Sequence, residues 1–306
     1  MSTVLEDPPI LPAHRGAQTE LWQVETLLRR GFGLLTIYSG DISSDTNNAA
    51  MPHDSPLNQS PEEVFKSGCH ALFPHDSSEP ESWGSIGVWA WGLSRGLDFV
   101  EATLAAEIDS SRVAVIGHSR KGKTALWAAA QDERFALAVS NASGAGGAAL
   151  SRRNFGESID QITWRFPTWF CPAFRSYARD EDALPVDQHS LLSTIAPRPL
   201  YVASAEDDLH CDPKGEFQSI RAADPVFSLL VGRQTAFFGD GAEAQQDGLS
   251  ELQQLEEGPV NVPVGGAGGR LRYHRRSGEH DVTAYDWEQY LAFAEEHFGM
   301  GTAARL

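Results

Sequence analysis

The run Arg112-Val113-Ala114-Val115-Ile116-Gly117-His118-Ser119 is β-branched up to a glycine turn, and Lys123–Gln131 (KTALWAAAQ) follows it with strong helix formers. A strand that turns sharply into a helix with a serine at the corner restricts the chain to α/β architectures. The same alternation recurs along the sequence. Strand-like runs occur at Phe32–Tyr38, Ala136–Ala142, Pro199–Ala205 and Gly269–Arg276, with helical periodicity at Glu20–Arg30, Trp83–Ala106 and Tyr285–His297. The expected fold is a mostly parallel sheet covered by helices on both faces. The expected organisation is one domain over 1–306, with irregular excursions near 45–82 and 238–268, where Asn, Ser, Pro, Gly and acidic residues collect.

At 306 residues, with 41% apolar and 22% charged residues, the chain has enough material for a sizeable core. Its formal charge of −18 argues against nucleic acid and against anionic membranes, both of which need clustered cations. A local Arg/Lys pocket for one acidic sugar remains compatible with that charge. Cys69, Cys171 and Cys211 are odd in number and lack CxxC spacing, so neither a disulfide framework nor a zinc knuckle is expected. Met1–Pro12 has no basic start leading into an apolar core, so no export signal is expected there and the chain reads as cytoplasmic as written. No metal and no organic cofactor are expected. The oligomeric state is left open.

A serine hydroxyl becomes a nucleophile when a base takes its proton, and in a sheet of this kind the chain order is serine, acid, histidine. Ser119 has a glycine two residues before it, but the next glycine is Gly122, one position later than in G-x-S-x-G. His280 lies in a polar turn after the last strand-like run and before the last amphipathic segment, the place where a catalytic histidine belongs. His118 precedes Ser119 on the strand and is expected to point away from the pocket, and His274 lies inside a strand. The acid should follow Pro199–Ala205, where Glu206, Asp207, Asp208 and Asp212 are the candidates. Trp164 and Trp169 suit a sugar platform or the core equally.

From Arg112 to Glu216, and again at GEHDVTAYDWEQYL, the sequence resembles the glucuronoyl esterases, carbohydrate esterase family 15, particularly their bacterial branch. GHSRKGKTALWAAAQ, SNASGAGG and LPVDQHSLLSTIAPRPLYVASAEDDLHCDPKGEF carry the likeness. It implies an α/β-hydrolase fold and a serine carboxylesterase acting through an acyl-enzyme on the ester between (4-O-methyl-)glucuronic acid of glucuronoxylan and an alcohol, such as one from lignin. By the same resemblance Ser119 is the nucleophile, His280 the base and Asp208 the acid; Arg120 stabilises the oxyanion, and Lys123 and Glu157 bind sugar hydroxyls. Relatives are mostly exported to the periplasm or beyond.

Three positions depart from the family pattern. Ala142 stands where many members carry a glutamate, His210 stands where members place a tryptophan against the sugar, and the first strands of the fold are not visible upstream of Phe32–Tyr38. The His210 departure motivates a general carbohydrate or acetyl xylan esterase as the alternative. The missing strands and Ala142 motivate a weakly active carbohydrate-binding relative.

Overall fold

The computed structural model describes residues 21–45, 60–73, 76–239 and 252–300, together with Gly16, Thr19 and Ser250. Four of the five strand-like runs form strands: β1 (Ala114–His118), β2 (Leu137–Asn141), β3 (Leu200–Ala205) and β4 (Leu271–Arg276). They lie side by side in chain order, and every neighbouring pair is parallel. Parallel neighbours require crossovers, and the helices Arg120–Gln131 and Pro213–Val231 run between successive strands.

Side chains alternate across the sheet, so β1, β2 and β3 each feed two cores, whereas β4 gives its apolar side chains to one. Val115, Ala138, Leu200, Val202, Leu271 and Tyr273 pack with Leu97, Leu126, Phe217 and Phe227 on one face. Leu137, Val139, Tyr201 and Ala203 pack with Trp287, Tyr290, Leu291 and Phe293 of the helix Ala284–Phe298 on the other. Burial of both faces explains why β2 and β3 read as continuous apolar runs. Phe217 has no exposed surface, and truncating it to alanine should cost about 3–5 kcal/mol through the cavity left behind.

The fifth run behaves differently from expectation. Residues 32–38 form no strand, and the helix expected over Glu20–Arg30 is confined to Val24–Arg29. A strand needs a neighbouring edge for its backbone groups, however strong its propensity. Here a cavity of about 370 Å³ separates Leu34, Leu35 and Ile37 from Ile116, Gly117 and His118 on the free side of β1. The helix Pro213–Val231, unremarked in the sequence, has legible ends: Asp212 caps it by accepting from the Gly215 N–H, Pro213 is its first residue and Gly232 closes it. Within the first irregular excursion the described residues include short helices at Pro61–Val64 and Gly68–Leu72. No described helix is long and apolar enough to cross a membrane.

Candidate active site

Ser119 occupies the corner between β1 and the helix Arg120–Gln131 with φ 57° and ψ −127°, a conformation that non-glycine residues rarely adopt. The turn closes through Ser119 N–H on the Asn141 carbonyl at 2.8 Å and Gly122 N–H on the Ser119 carbonyl at 2.8 Å. Two glycines make it sterically feasible. A Cβ on Gly117 would meet the Lys121 carbonyl oxygen at 1.9 Å, and one on Gly122 would meet Ser143 Cβ at 2.9 Å. The late second glycine therefore serves the elbow from Gly122, where the first helical turn crosses the end of β2. Such strain at a loop corner is a mark of functional sites.

The carboxyl ends of β3 and β4 bring the other two residues together. Asp208, capping the short turn Leu209–Cys211, accepts from His280 Nδ1 at 2.6 Å and is 5% exposed at its side chain, whereas His280 is 38% exposed. Burial pushes the Asp208 carboxyl up, but its hydrogen bonds from His280 and Cys211 outweigh that and hold it below the usual carboxylate range. Glu206 and Asp207 instead use their backbone N–H groups on the Arg276 and Gly278 carbonyls, and Asp207 is exposed. Asp212 carries Arg153 at 2.8 Å while capping its helix. Of the four acids, Asp208 is the one placed on His280.

The Ser119 hydroxyl makes no hydrogen bond among the described residues. Its neighbour His118 links the elbow to the histidine loop, because the two imidazole rings lie 4.4 Å apart between centroids. Strand alternation does turn it to the face of the C-terminal helix, but His118 is the last residue of β1, where the loop carrying His280 crosses.

The support beneath that loop was invisible in the sequence. Arg276 donates to the carbonyls of Ser277, Glu279 and Asp281, three residues spanning the loop, and to Asp286 Oδ2 at 2.8 Å. Asp286 Oδ1 lies 2.8 Å from His274 Nε2 and 3.3 Å from Asn141 Nδ2, and Asn141 Oδ1 lies 2.6 Å from His118 Nδ1. Arg276, Asp286, His274 and Asn141 are all buried. A buried charge persists where its hydrogen bonds are filled, and this network fills them while tying β1, β2 and β4 to the last helix.

Arg120 lies beside the elbow with Nη1 2.8 Å from Asp45 Oδ2, and its guanidinium stands over the Trp169 and Phe166 rings at 4.9 and 5.2 Å. Asp45 is fixed in turn by Trp169 Nε1 at 2.9 Å. Trp169 is therefore a core residue that holds the arginine, while Trp164 is exposed. Lys123 is buried, with its pKa lowered by that burial, and donates to the Ser143 carbonyl. Glu157 Oε1 lies 3.3 Å from Nε2 of half-exposed His210 and 3.5 Å from Arg165 Nη1. Hydrogen bonding to Glu157 raises the His210 pKa against the effect of burial. Ala142 has φ 44° and offers only its carbonyl, which accepts from Cys211 Sγ at 3.3 Å.

One residue that sequence reasoning passed over organises the segment after β2. Glu216 is fully buried and its Oε1 accepts from Ser143 N–H, Gly144 N–H and the Ser143 hydroxyl, its Oε2 from the Ser204 hydroxyl. Four donors favour the charged form, yet burial prevails and pushes the carboxyl up to about 7. A glutamate one turn into a helix would ordinarily be read as solvent-facing, so no local signal reveals it.

A parallel sheet covered on both faces, with a strained serine elbow and an Asp–His pair at its carboxyl edge, defines the α/β-hydrolase class. The profile of the family described as "Glucuronyl esterase, fungi" matches residues 62–231, and the chain belongs to this family. It is 42% identical over 291 residues to the carbohydrate esterase MZ0003 of an unknown prokaryotic organism, covering 94% of this chain and 58% of that protein. It is 31% identical over 216 residues to the 4-O-methyl-glucuronoyl methylesterase of Phanerochaete carnosa, covering 67% of this chain and 52% of the other. The solved glucuronoyl esterase from Solibacter usitatus superposes with a TM-score of 0.77 at 40% identity, over 94% of this chain and 65% of that one. The chain thus spans less than two thirds of the length of these relatives.

Proposed function

We propose that the chain is a serine carboxylesterase that hydrolyses the ester between (4-O-methyl-)glucuronic acid of glucuronoxylan and an alcohol such as one from lignin. The observation that carries this reading is the Asp208–His280 pair, set beside a strained serine elbow in a chain of the glucuronyl esterase family. His280 takes the Ser119 proton as Oγ attacks the ester carbonyl. Asp208 holds the ring with Nδ1–H facing away from the serine and stabilises the imidazolium that forms. The tetrahedral intermediate places negative charge near the Arg120 backbone N–H and guanidinium. The imidazolium then protonates the departing alcohol, and water, deprotonated by His280, releases the uronic acid from Ser119.

Lys123 and Glu157 supply a donor and an acceptor for sugar hydroxyls, with His210 at the rim. Half-exposed His210, in place of an aromatic wall, favours a second reading: a general carbohydrate or acetyl esterase. Hydrolysis of methyl glucuronate against p-nitrophenyl acetate separates the two, the first reading requiring a clear preference for the uronate ester. Ser119→Ala should abolish turnover and labelling by a serine-directed fluorophosphonate, with the circular dichroism spectrum unchanged. Retained turnover in that variant overturns the proposal.

A further inference from the structure

Cys211 touches no reacting atom in the proposed hydrolysis and its backbone N–H donates to the Asp208 carboxyl, yet its sulfur also lies against the catalytic imidazole. Sγ lies 3.6 Å from His280 Nδ1, the same nitrogen that Asp208 Oδ2 approaches at 2.6 Å. The oxygen, sulfur and nitrogen all lie within 4.8 Å of one another. We propose that Asp208, Cys211 and His280 form an inhibitory site for a thiophilic divalent cation, Zn²⁺ being the natural case. The inhibitory consequence rests on the esterase reading; the metal site does not.

The donor set decides the class of metal. A thiolate and an imidazole with one carboxylate suit Zn²⁺, whereas Mg²⁺ and Ca²⁺ require shells of oxygen. The size also fits. Zinc bonds of about 2.3 Å to sulfur and about 2.0–2.2 Å to nitrogen and oxygen, at near-tetrahedral angles, put neighbouring donors about 3.3–3.6 Å apart. The sulfur–nitrogen separation already has that value, and the carboxylate oxygen, 2.6 Å from the nitrogen, has to withdraw from it by less than about 1 Å. Ala142 O, which accepts from Cys211 Sγ at 3.3 Å, or a water molecule can supply the fourth ligand. The partly exposed His280 ring provides the way in. Burial and the Glu216 and Asp208 carboxylates push the Cys211 thiol far up, so the metal has to displace its proton; the nearby Lys123 ammonium opposes a cation and the Glu216 charge favours one.

Binding balances simply: the Cys211 thiol becomes a zinc thiolate and its proton passes to the buffer. His280 gives its Nδ1 lone pair to the metal, so the neutral ring must carry its hydrogen on Nε2. That tautomer turns an N–H, not a lone pair, toward the serine side and removes the general base. A metal on the rear of the ring therefore stops catalysis without touching substrate.

The test uses the full chain, freed of metal by a chelator and then titrated at pH 8. With ZnCl₂, hydrolysis of methyl glucuronate should fall at least about tenfold at saturation, recover with EDTA, and be unaffected by MgCl₂. With CoCl₂, one equivalent should produce thiolate-to-cobalt charge-transfer absorption in the near ultraviolet, whether or not the ester is turned over. Cys211→Ser keeps a donor toward the Ala142 carbonyl and the backbone N–H that Asp208 accepts, and its zinc response is read as a ratio to its own metal-free rate. The variant should lose the cobalt–thiolate band and weaken zinc inhibition by about tenfold or more. Cys211→Ala provides the same comparison if the serine variant folds poorly. Absence of the cobalt band in the native chain, or equal zinc inhibition of the native and Cys211 variants, overturns the proposal; the former does so even in a chain that hydrolyses no ester.

Discussion

Asp208 and His280 are 72 residues apart in the chain, and Oδ2 of the one lies 2.6 Å from Nδ1 of the other. Two parallel strands make this meeting: β3 ends at Ala205 and β4 at Arg276, paired in register, so the loops leaving them emerge together. Asp208→Asn should lower kcat/KM by about 10⁴, because an amide can hold the wrong tautomer. Glu206→Gln and Asp207→Asn should stay within about threefold of the parent, since neither carboxylate is placed on the ring. Kinetics of the three isosteric variants on a glucuronate ester check the assignment, and collapse of Glu206→Gln or Asp207→Asn with a near-normal Asp208→Asn would contradict it.

Arg276 holds the histidine loop by three carbonyls and is itself buried. Arg276→Lys should keep the positive charge for Asp286 yet lose the fork that spans Ser277 to Asp281. We expect kcat to fall at least about tenfold with KM little changed, together with loss of melting temperature. A drop in stability alone, with kcat intact, would show that the arginine supports the fold and not the imidazole.

Gly117→Ala tests the elbow by sterics alone. The added Cβ would stand 1.9 Å from the Lys121 carbonyl oxygen, which is backbone and cannot swing aside. The variant should lose fluorophosphonate labelling and about 3 kcal/mol or more of stability. Gly122→Ala, which meets Ser143 Cβ at 2.9 Å, should be milder. Equal labelling of Gly117→Ala and the parent would mean that the turn has slack the geometry does not show.

Glu216 gives a pH prediction. Its carboxyl titrates near 7 when folded, against an ordinary 4.5, so between those values the native chain keeps a proton that the unfolded chain has released. Stability from this group is complete below about pH 4.5 and is lost as pH rises through about 7, by at most about 3 kcal/mol. Urea denaturation across pH 4.5–8 should show that decline, and Glu216→Gln should flatten it. An unchanged slope in the variant would assign the pH dependence to other groups.

Much of this arrangement was legible beforehand. The largely apolar runs ending at Ser119, Ala142 and Ala205 marked three strands, because a strand buried on both faces is mostly apolar, whereas Gly269–Arg276, the fourth, is rich in arginine. Phe32–Tyr38 carried a similar signal and failed, since pairing needs contact with an edge and a cavity lined by both Leu34–Ile37 and Ile116–His118 lies beside β1. The helix Pro213–Val231 was not expected, and it hides Glu216, whose burial depends on the segment after β2 folding over it.

By itself the sequence determined the α/β class, the chain order of the four strands that form, and the elbow around Ser119, all of which rest on periodicities and glycines within a few residues of one another. It also narrowed the acid to one short stretch after β3. Tertiary structure alone decided that Asp208 meets His280, that His118 packs against that ring, that Arg276 and Asp286 hold it from beneath, and that Cys211 faces it. Those relationships join residues far apart in the chain, and their distances exist only once the parallel strands bring their carboxyl ends to one edge of the sheet.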